Sequence, residues 1–335
     1  MRLAPPTLEE IEAARERIPE EGLDTPLIRL GTGIGAGSGP APRTGEPAGG
    51  KEGAGPEIWL KLENLQPIGS FKLRGAGNAM ALADPALLER GVYTASAGNM
   101  AQGVAWTARR LGIPCTVLHP DHAPATKVEA IHALGATTVP LPFDQWWEVL
   151  VQRGHPDQQG FFIHPVSDPA VLAGNGTVGL EIAEQLPGVD AVVVPFGGGG
   201  LSCGIASALR ARLPEVPVHA AEVATAAPLA ASLKAGKRMC VEYQASWVDG
   251  IGSGSVLAEM WPLARSLLAG SQVVSLEAVA DAVRTLVREA RVVAEGAGAA
   301  PVAVARSGAV GRGRVVCVVS GGNLDAVVLR RLLGE

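Results

Sequence analysis

One lysine, Lys72, lies in the segment Pro67–Gly75, which reads Pro-Ile-Gly-Ser-Phe-Lys-Leu-Arg-Gly. A lysine whose ammonium group is partly removed from water has a lowered pKa, and its neutral amine is then a nucleophile and a base. Such an amine can form a Schiff base with a carbonyl cofactor. Many lysines in apolar segments instead extend the amine to solvent, so this segment alone leaves both interpretations open.

Three other stretches consist of small and polar residues, and each follows a predicted buried strand: Ser96-Ala97-Gly98-Asn99, Gly197-Gly198-Gly199-Gly200 and Ser320-Gly321-Gly322-Asn323. Open α/β sheets form their sites where strands end at the carboxyl edge. We therefore expect these stretches to share one site with Lys72.

The four consecutive glycines, Gly197–Gly200, stand between a valine run and a predicted helix. Glycine loops let backbone N–H groups approach phosphate oxygens, and the start of the following helix adds a positive dipole. A bare turn explains the run poorly, because each glycine costs about 0.5–1 kcal/mol in backbone entropy relative to alanine. The run lacks the Gly-x-Gly-x-x-Gly dinucleotide pattern, but Glu222 lies at the distance of a ribose-binding acid, so a non-catalytic nucleotide-binding module stays open.

Strands and helices alternate in two series around these stretches. A capping box at Thr7–Glu10 starts a helix that extends to Ile18. The first series has strands at 58–63, 92–95, 115–119 and 137–141, and helices at 74–88, 101–111, 126–134 and 145–153. The second has strands at 191–195, 218–222 and 314–319, and helices at 176–186, 201–212, 275–294 and 298–306. This alternation predicts an α/β protein with two open parallel twisted sheets, flanking helices and a crevice between them.

Composition limits the classes of function. The chain has 335 residues, of which 47% are hydrophobic, and a mean hydropathy of +0.22, as expected for one large or two packed globular domains. Its apolar runs are far shorter than a membrane span, and its net charge of −5 gives no footprint for nucleic acid. Four scattered cysteines predict free thiols in a reducing compartment, and the acidic N-terminus does not resemble a signal peptide, so we expect a cytoplasmic protein.

The four motifs, in this order, resemble those of the fold-type II pyridoxal-phosphate enzymes, closest to the threonine/serine dehydratases and serine racemases. Supporting matches are Ala173-Gly174-Asn175-Gly176-Thr177, Val248-Asp249-Gly250-Ile251-Gly252 and Ala294-Glu295-Gly296-Ala297-Gly298-Ala299. The likeness covers nearly the whole chain apart from residues 31–56, a Gly/Ala/Pro-rich stretch that we predict to be a flexible insertion. It implies a tryptophan synthase β-like fold with pyridoxal 5′-phosphate in the crevice between two domains.

The resemblance also implies roles for individual residues. Lys72 holds the cofactor as a Schiff base and moves the α-proton, and Ser320 faces the pyridine nitrogen. The implied cofactor-binding residues are Phe71, Lys72, Asn99, Gly197, Gly198, Gly199, Gly200, Leu201, Gly250 and Ser320. The implied substrate-binding residues are Ser96, Ala97, Gly98, Asn99 and Met100. No metal ligand is implied, because Pro228 stands where relatives with a cation site have an acidic residue after Glu222.

Two departures bear on the reaction. A neutral serine at position 320 keeps the ring nitrogen less fully protonated than an aspartate does, which favours departure of a β-hydroxyl group over transamination. Serine racemases place an acid/base serine where this chain has Ala97, and alanine cannot transfer a proton. The sequence thus predicts β-elimination from L-threonine or L-serine to a 2-oxo acid and ammonia. Serine or threonine racemisation and β-replacement are the alternatives.

Further predictions concern residues in and around the expected substrate pocket. Met100 replaces a common histidine and Val166 an asparagine of racemases, so a bulkier substrate such as L-phenylserine is a second alternative. For Trp146 and Trp147, packing of their helix is the prediction and a wall of the substrate pocket is the alternative. Glu295 either caps a helix or supports the site. The histidines at strand ends are predicted to be structural: His119, His164 and His219.

The expected organisation is a large cofactor-binding domain, residues 1–84 plus 169–335, and a small domain, residues 85–168. The resemblance implies a homodimer that acts on a small amino acid, with no nucleic-acid or membrane partner. Fifteen residues follow Ser320, so we expect no regulatory domain after the site.

Overall fold

The computed structural model describes residues 3–18, 22, 24–31 and 55–334. Residues 32–54 of the predicted flexible insertion at 31–56 therefore lie outside the described residues. The described part forms ten strands, β1 to β10: Leu27–Arg29, Glu57–Leu62, Val92–Ala95, Cys115–Pro120, Thr137–Leu141, Phe161–Phe162, Ala191–Pro195, Val218–Val223, Gly270–Val274 and Arg314–Val319. It also forms thirteen α-helices, α1 to α13: Leu8–Arg17, Lys72–Leu82, Pro85–Leu88, Asn99–Leu111, Ala125–Ala133, Phe143–Gln152, Pro169–Gln185, Gly200–Arg212, Pro228–Ala235, Trp261–Leu267, Leu276–Thr285, Gly296–Arg306 and Ala326–Leu333.

The larger sheet has the strand order β1-β2-β10-β7-β8-β9. All its neighbours are parallel except β1 and β2, which pair antiparallel at the edge. The central strands β7 and β10 are buried on both faces, and their successive side chains point to opposite sides of the sheet. Val315, Cys317 and Val319 join a core with α11 and α12, whereas Val316 and Val318 join a core with α7 and α8 on the other face.

The smaller sheet has the order β5-β4-β3-β6 and is parallel throughout. Helix α4 packs on it through Met100, Ala101 and Val104, which share a core with Val92 and Val117. Two sheets with flanking helices are the architecture that the alternating pattern predicts, and they are parallel as expected except at the antiparallel β1–β2 edge.

Helix α2, which begins at Lys72, is anchored by a cluster of four fully buried charges that we call the charge cluster: Lys61, Glu63, Arg74 and Glu181. The Arg74 guanidinium donates to Glu63 Oε2 at 2.8 Å and to Glu181 Oε1 at 2.5 Å. Lys61 pairs with Glu181. Two positive and two negative side chains therefore neutralise one another directly below the helix that carries Lys72.

Some predicted elements differ in length. The helix predicted at 74–88 is split into α2 and α3, because Pro85 cannot continue a helix and Asp84 caps the new one. The helix predicted at 275–294 leaves α-geometry after Thr285 and ends in a π-helical turn, Leu286–Ala290. Strands β6 and β9 and helices α9 and α10 were not predicted, since they are short or lack a clear apolar period. No helix within the described ranges is long and apolar enough to cross a bilayer.

Candidate functional site

A cavity of about 430 Å³ lies between the two sheets at the carboxyl ends of their strands. This volume lies within the usual range for small-molecule sites. Every residue that the sequence assigned to the site lines it: Phe71, Lys72, Ser96, Ala97, Gly98, Asn99, Met100, Gly197, Gly198, Gly199, Gly200, Leu201, Gly250 and Ser320. Stretches that are far apart in the sequence are therefore brought together in one place, while their individual roles stay predictions.

Lys72 presents its amine inside this cavity. Its Nζ donates to the Pro165 backbone carbonyl at 2.8 Å and lies 5.2 Å from the centre of the Phe71 ring. Burial lowers the pKa of Lys72 to about 8, and the negative charge of Glu295 opposes this shift. A substantial fraction of the amine is therefore neutral near physiological pH, as a nucleophile or base requires.

The glycine bend Gly197–Gly200 leads from β7 into the 13-residue helix α8. Gly199 has a φ of +92°, which residues with a side chain rarely adopt. At Gly198, a Cβ atom would lie 2.5 Å from a methyl carbon of Val166, so the loop passes too close for any larger residue. No side chain caps α8, and its first backbone N–H groups form a site for an anion.

Ser320 lies at the end of β10 beside the lysine segment. The Phe71 backbone N–H donates to the Ser320 carbonyl at 3.1 Å, and Ser70 and Gly321 form an antiparallel bridge. Ser320 is 3% exposed and lines the cavity with Lys72. The backbone pairing thus holds the hydroxyl residue and the amine residue in a fixed relation.

Asn99, the first residue of α4, contacts two residues of distant segments. Its Nδ2 donates to Glu295 Oε1 at 2.9 Å, and its Oδ1 accepts from Asn323 Nδ2 at 2.8 Å. The N-cap residue of α4 is Gly98, which has no side chain to cap the helix. The first N–H groups of α4 are therefore left without a side-chain acceptor. This second uncapped helix start is suited to a carboxylate.

Several residues that line the cavity were missed or misjudged in the sequence. Trp146 packs against Phe143, with ring centres 5.6 Å apart, but it also forms part of the cavity wall, so the prediction of helix packing alone is incomplete. Lys127 and Asp249, which form an ion pair, also line the cavity. No motif surrounds Lys127, and Asp249 received no role although it lies in the supporting match at 248–252. Only the contact across the crevice shows that both belong to the cavity.

Glu222 is the residue whose spacing left a nucleotide-binding module as an alternative, and its hydrogen bonds lie away from the cavity. Its carboxylate accepts from the backbone N–H groups of Leu229 at 2.9 Å and Ala230 at 2.7 Å, and from the Ser271 hydroxyl at 2.5 Å. It therefore caps helix α9 and lies outside the cavity lining. The spacing argument for a ribose contact has no counterpart in the structure.

The groups around the cavity fit pyridoxal phosphate. An amine with a lowered pKa suits the aldehyde, and the uncapped start of α8 suits the phosphate. A serine and an asparagine are hydrogen-bonding groups for the ring nitrogen and the ring oxygen. These groups all line one cavity.

The sequence matches the family model described as "Pyridoxal-phosphate dependent enzyme" over residues 39–321. It is 41% identical to an L-threonine ammonia-lyase of Thermotoga maritima over 287 residues, covering 85% of this chain and 71% of the relative. It is 35% identical to a putative threonine dehydratase of Sinorhizobium fredii, covering 98% of this chain and 95% of the relative.

Among solved structures, maize serine racemase superposes with a TM-score of 0.83 at 29% identity, covering 98% of this chain and 97% of that one. The processed form of threonine deaminase isoform 2 from Solanum lycopersicum gives a TM-score of 0.77 at 31% identity, covering 83% and 78%. The predicted fold class, cofactor and enzyme class are thereby confirmed. The chain belongs to the family of pyridoxal-phosphate dependent enzymes.

Proposed function

We propose that this enzyme is an ammonia-lyase of the dehydratase type, which converts L-threonine or L-serine to a 2-oxo acid and ammonia. The observation that carries the proposal is the single cavity shared by the Lys72 amine, the glycine bend and Ser320. The relatives named above as L-threonine ammonia-lyase and putative threonine dehydratase support the same reaction. The net change breaks the Cα–H and Cβ–O bonds, releases one water and consumes another when the nitrogen leaves as ammonia.

When bound, pyridoxal phosphate withdraws electrons from the amino acid and makes its α-proton removable. In our proposal Lys72 Nζ holds the aldehyde carbon of the cofactor and then carries the α-proton. Its lowered pKa supports this role, because only a neutral amine can accept a proton. The bend at Gly197–Leu201 would hold the phosphate, Phe71 and Gly250 would border the ring, and Ser320 would face the ring nitrogen.

The loop Ser96–Asn99 would bind the substrate carboxylate. Its backbone N–H groups stand at the uncapped start of α4, where a negative charge is stabilised by the helix dipole. Ser96 Oγ already accepts from the Gly98 N–H at 3.2 Å, which keeps the loop in shape. Ala97 has no proton to give, and this favours elimination over racemisation.

A bulkier substrate is the second candidate, and the cavity wall favours it. Met100, Val166 and Trp146 form an apolar part of the lining. An apolar wall stabilises an apolar substituent on Cβ by about 25 cal/mol per Å² of surface buried. L-threo-phenylserine is the test compound for this candidate.

The finer organisation is also part of the proposal. We propose residues 1–84 plus 169–335 as the cofactor-binding domain and residues 85–168 as the small domain, and a homodimer that works in the cytoplasm. The cysteines Cys115, Cys203 and Cys317 are free and buried, as is usual for proteins of a reducing compartment. Sedimentation analysis gives the oligomeric state directly.

The decisive experiment measures both the cofactor and the product. Purified protein should show a visible absorption band that borohydride bleaches, and it should release 2-oxo acid from L-threonine and L-serine. A panel with L-phenylserine, and chiral chromatography of L-serine, separates the alternatives. Protein that binds pyridoxal phosphate but releases no 2-oxo acid from any β-hydroxy amino acid would refute the proposed reaction.

A further inference from the structure

Glu295 stands at the N-cap position of α12, yet its side chain makes no capping hydrogen bond. Its Oε1 instead accepts from Asn99 Nδ2 at 2.9 Å. The two residues are 196 positions apart, and both line the cavity. The sequence left open whether Glu295 caps a helix or supports the site, and the contact favours the second interpretation.

The hydrogen bonds around Asn99 form a chain whose direction is determined chemically. At one end, the Ile68 backbone carbonyl accepts from Asn323 Nδ2 at 2.9 Å, and a carbonyl oxygen can only accept. Asn323 Nδ2 also donates to Asn99 Oδ1 at 2.8 Å. At the other end, the Glu295 carboxyl group accepts from Asn99 Nδ2. Acceptors at both ends force the Asn99 amide into one orientation, because a flip would set oxygen against oxygen.

This orientation leaves one N–H of Asn99 for a ligand. An amide NH₂ group has two hydrogens, and Glu295 takes one of them. The second is a donor at the cavity, and a donor suits an oxygen atom with partial negative charge. The ring oxygen of pyridoxal phosphate is such an atom.

The surrounding backbone leaves space for the Glu295 carboxyl group. At Gly321, a Cβ atom would lie 2.6 Å from Glu295 Oε1 and 3.2 Å from Asn99 Nδ2. A side chain at position 321 would require the Glu295 carboxyl group to shift from its place beside Asn99. The glycine after Ser320 therefore leaves room for this carboxyl group.

The charges that face Glu295 come from three other segments: Asp249, Lys127 and Lys72. Burial, together with the like charge of Asp249, raises the pKa of Glu295 to about 7. A carboxyl group that still binds a proton on one oxygen can accept a hydrogen bond with the other. It can therefore orient Asn99 without adding a full negative charge beside a negatively charged cofactor.

We propose that Glu295 is a positioning residue for the cofactor: with Asn323 it fixes the Asn99 amide so that an N–H group points to the ring oxygen of pyridoxal phosphate. The inference rests on the proposed cofactor-binding role of Asn99. It assigns Glu295 no contact with the substrate and no proton transfer. Its effect should appear in the affinity for the cofactor.

The test compares Glu295→Ala with Glu295→Gln by titrating each apoenzyme with pyridoxal phosphate and recording the Kd and the visible band. Glutamine keeps a carbonyl acceptor for Asn99, whereas alanine removes it. We expect E295A to raise the Kd about tenfold and to shift the band, as expected for the loss of one hydrogen bond to a charged group. E295Q should stay within about twofold of the wild type. The proposal is overturned if E295A binds pyridoxal phosphate with the Kd of the wild type. It is also overturned if E295A and E295Q lose the same amount of affinity.

Ser275→Ala is the matched control, because Ser275 does cap its helix by accepting from the Ala278 N–H. It should lower the Tm by roughly 2 °C and leave the Kd unchanged. An E295A protein that lowers only the Tm behaves as a capping variant and contradicts the inference.

Asn323→Ala tests the other end of the chain if E295A does not fold. Asn323 is exposed, so its truncation should be tolerated, and we expect its Kd to rise about threefold. An unchanged Kd in N323A counts against the proposal. If the wild-type protein takes up no pyridoxal phosphate, the proposed function is refuted. If the wild type binds it and the variants bind it with the same Kd, only this inference is refuted.

Discussion

The charge cluster and the cavity both hold ionisable side chains away from water, but they treat these groups differently. In the cluster, Arg74 contacts two carboxylates, and its positive charge, with that of Lys61, outweighs burial and lowers the pKa of Glu181. In the cavity, the Lys72 amine donates to a backbone carbonyl and lies over the Phe71 ring, and it has no ion pair among the described residues. Burial then dominates and lowers its pKa to about 8.

The difference shows that the balance between burial and charged partners decides the direction of a pKa shift. Charged partners prevail over burial at Glu181, whereas burial prevails at Lys72 and also lowers the pKa of Lys61 within the cluster. A group with opposite charges on several sides keeps its charge and holds elements together. A group with few partners moves toward its neutral form and becomes available for chemistry. The two regions are adjacent in sequence, because Lys72 and Arg74 are in the same helical turn of α2.

The largest expected effect follows from removing the Lys72 amine. Lys72→Ala should abolish the visible band and lower the rate of 2-oxo acid release by at least about 10³-fold, because in the proposed mechanism Lys72 supplies both the nucleophile and the base. The measurement is the absorption spectrum with a coupled activity assay. Lys234→Ala, an exposed lysine on α9, is the control and should match the wild type. Full activity of K72A would remove the basis of the comparison.

Breaking the charge cluster should affect stability. Arg74→Met leaves Glu63 and Glu181 buried with fewer partners, and we expect a loss of about 3–5 kcal/mol in the free energy of unfolding. Urea titration of the apoenzyme measures this quantity. Lys72→Ala in the same assay should change it by less than about 1 kcal/mol, because Lys72 has few partners to lose. Equal losses in the two variants would show that the regions do not differ as described.

The pH dependence of stability should separate Glu295 from the cluster. Its pKa is about 7 in the folded protein against an ordinary value of 4.5, so the folded state holds the proton more tightly. As the pH rises from 4.5 to 7, ionisation of Glu295 therefore destabilises the fold. Glu295→Gln lacks this effect and should gain roughly 1–3 kcal/mol relative to the wild type between pH 5 and pH 8. Urea titration of the two apoproteins measures the free energy of unfolding at pH 5 and at pH 8. The same difference between wild type and E295Q at both pH values would contradict this prediction.

The smallest expected effect concerns the rate of cofactor uptake. Only the neutral amine of Lys72 attacks an aldehyde, so the uptake rate should rise about tenfold between pH 7 and pH 9 and level off above its pKa of about 8. Stopped-flow absorption of apoenzyme mixed with pyridoxal phosphate measures this rate. A rate that still rises steeply above pH 10 would mean that Lys72 titrates as an ordinary lysine.

Local patterns predicted much of the architecture. Strands β7 and β10 are valine-rich runs that lie just before the glycine bend and before Ser320, and each is found within its predicted bounds. The boundaries of α2 and α11 were harder, because Pro85 splits a continuous apolar pattern and the turn after Thr285 has no strong sequence signal. Short elements such as β6 depend on pairing with β3 rather than on their own residues.

By itself, the sequence determined which segments would carry the site, because motifs such as Gly197–Gly200 and Ser320–Asn323 encode local backbone shapes. Only the tertiary structure decided which partners these residues meet. The contact of Asn99 with Glu295 and that of Arg74 with Glu181 join residues more than 100 positions apart. Spacing along a chain carries no information about such contacts, and the pKa values of Lys72 and Glu295 depend on them.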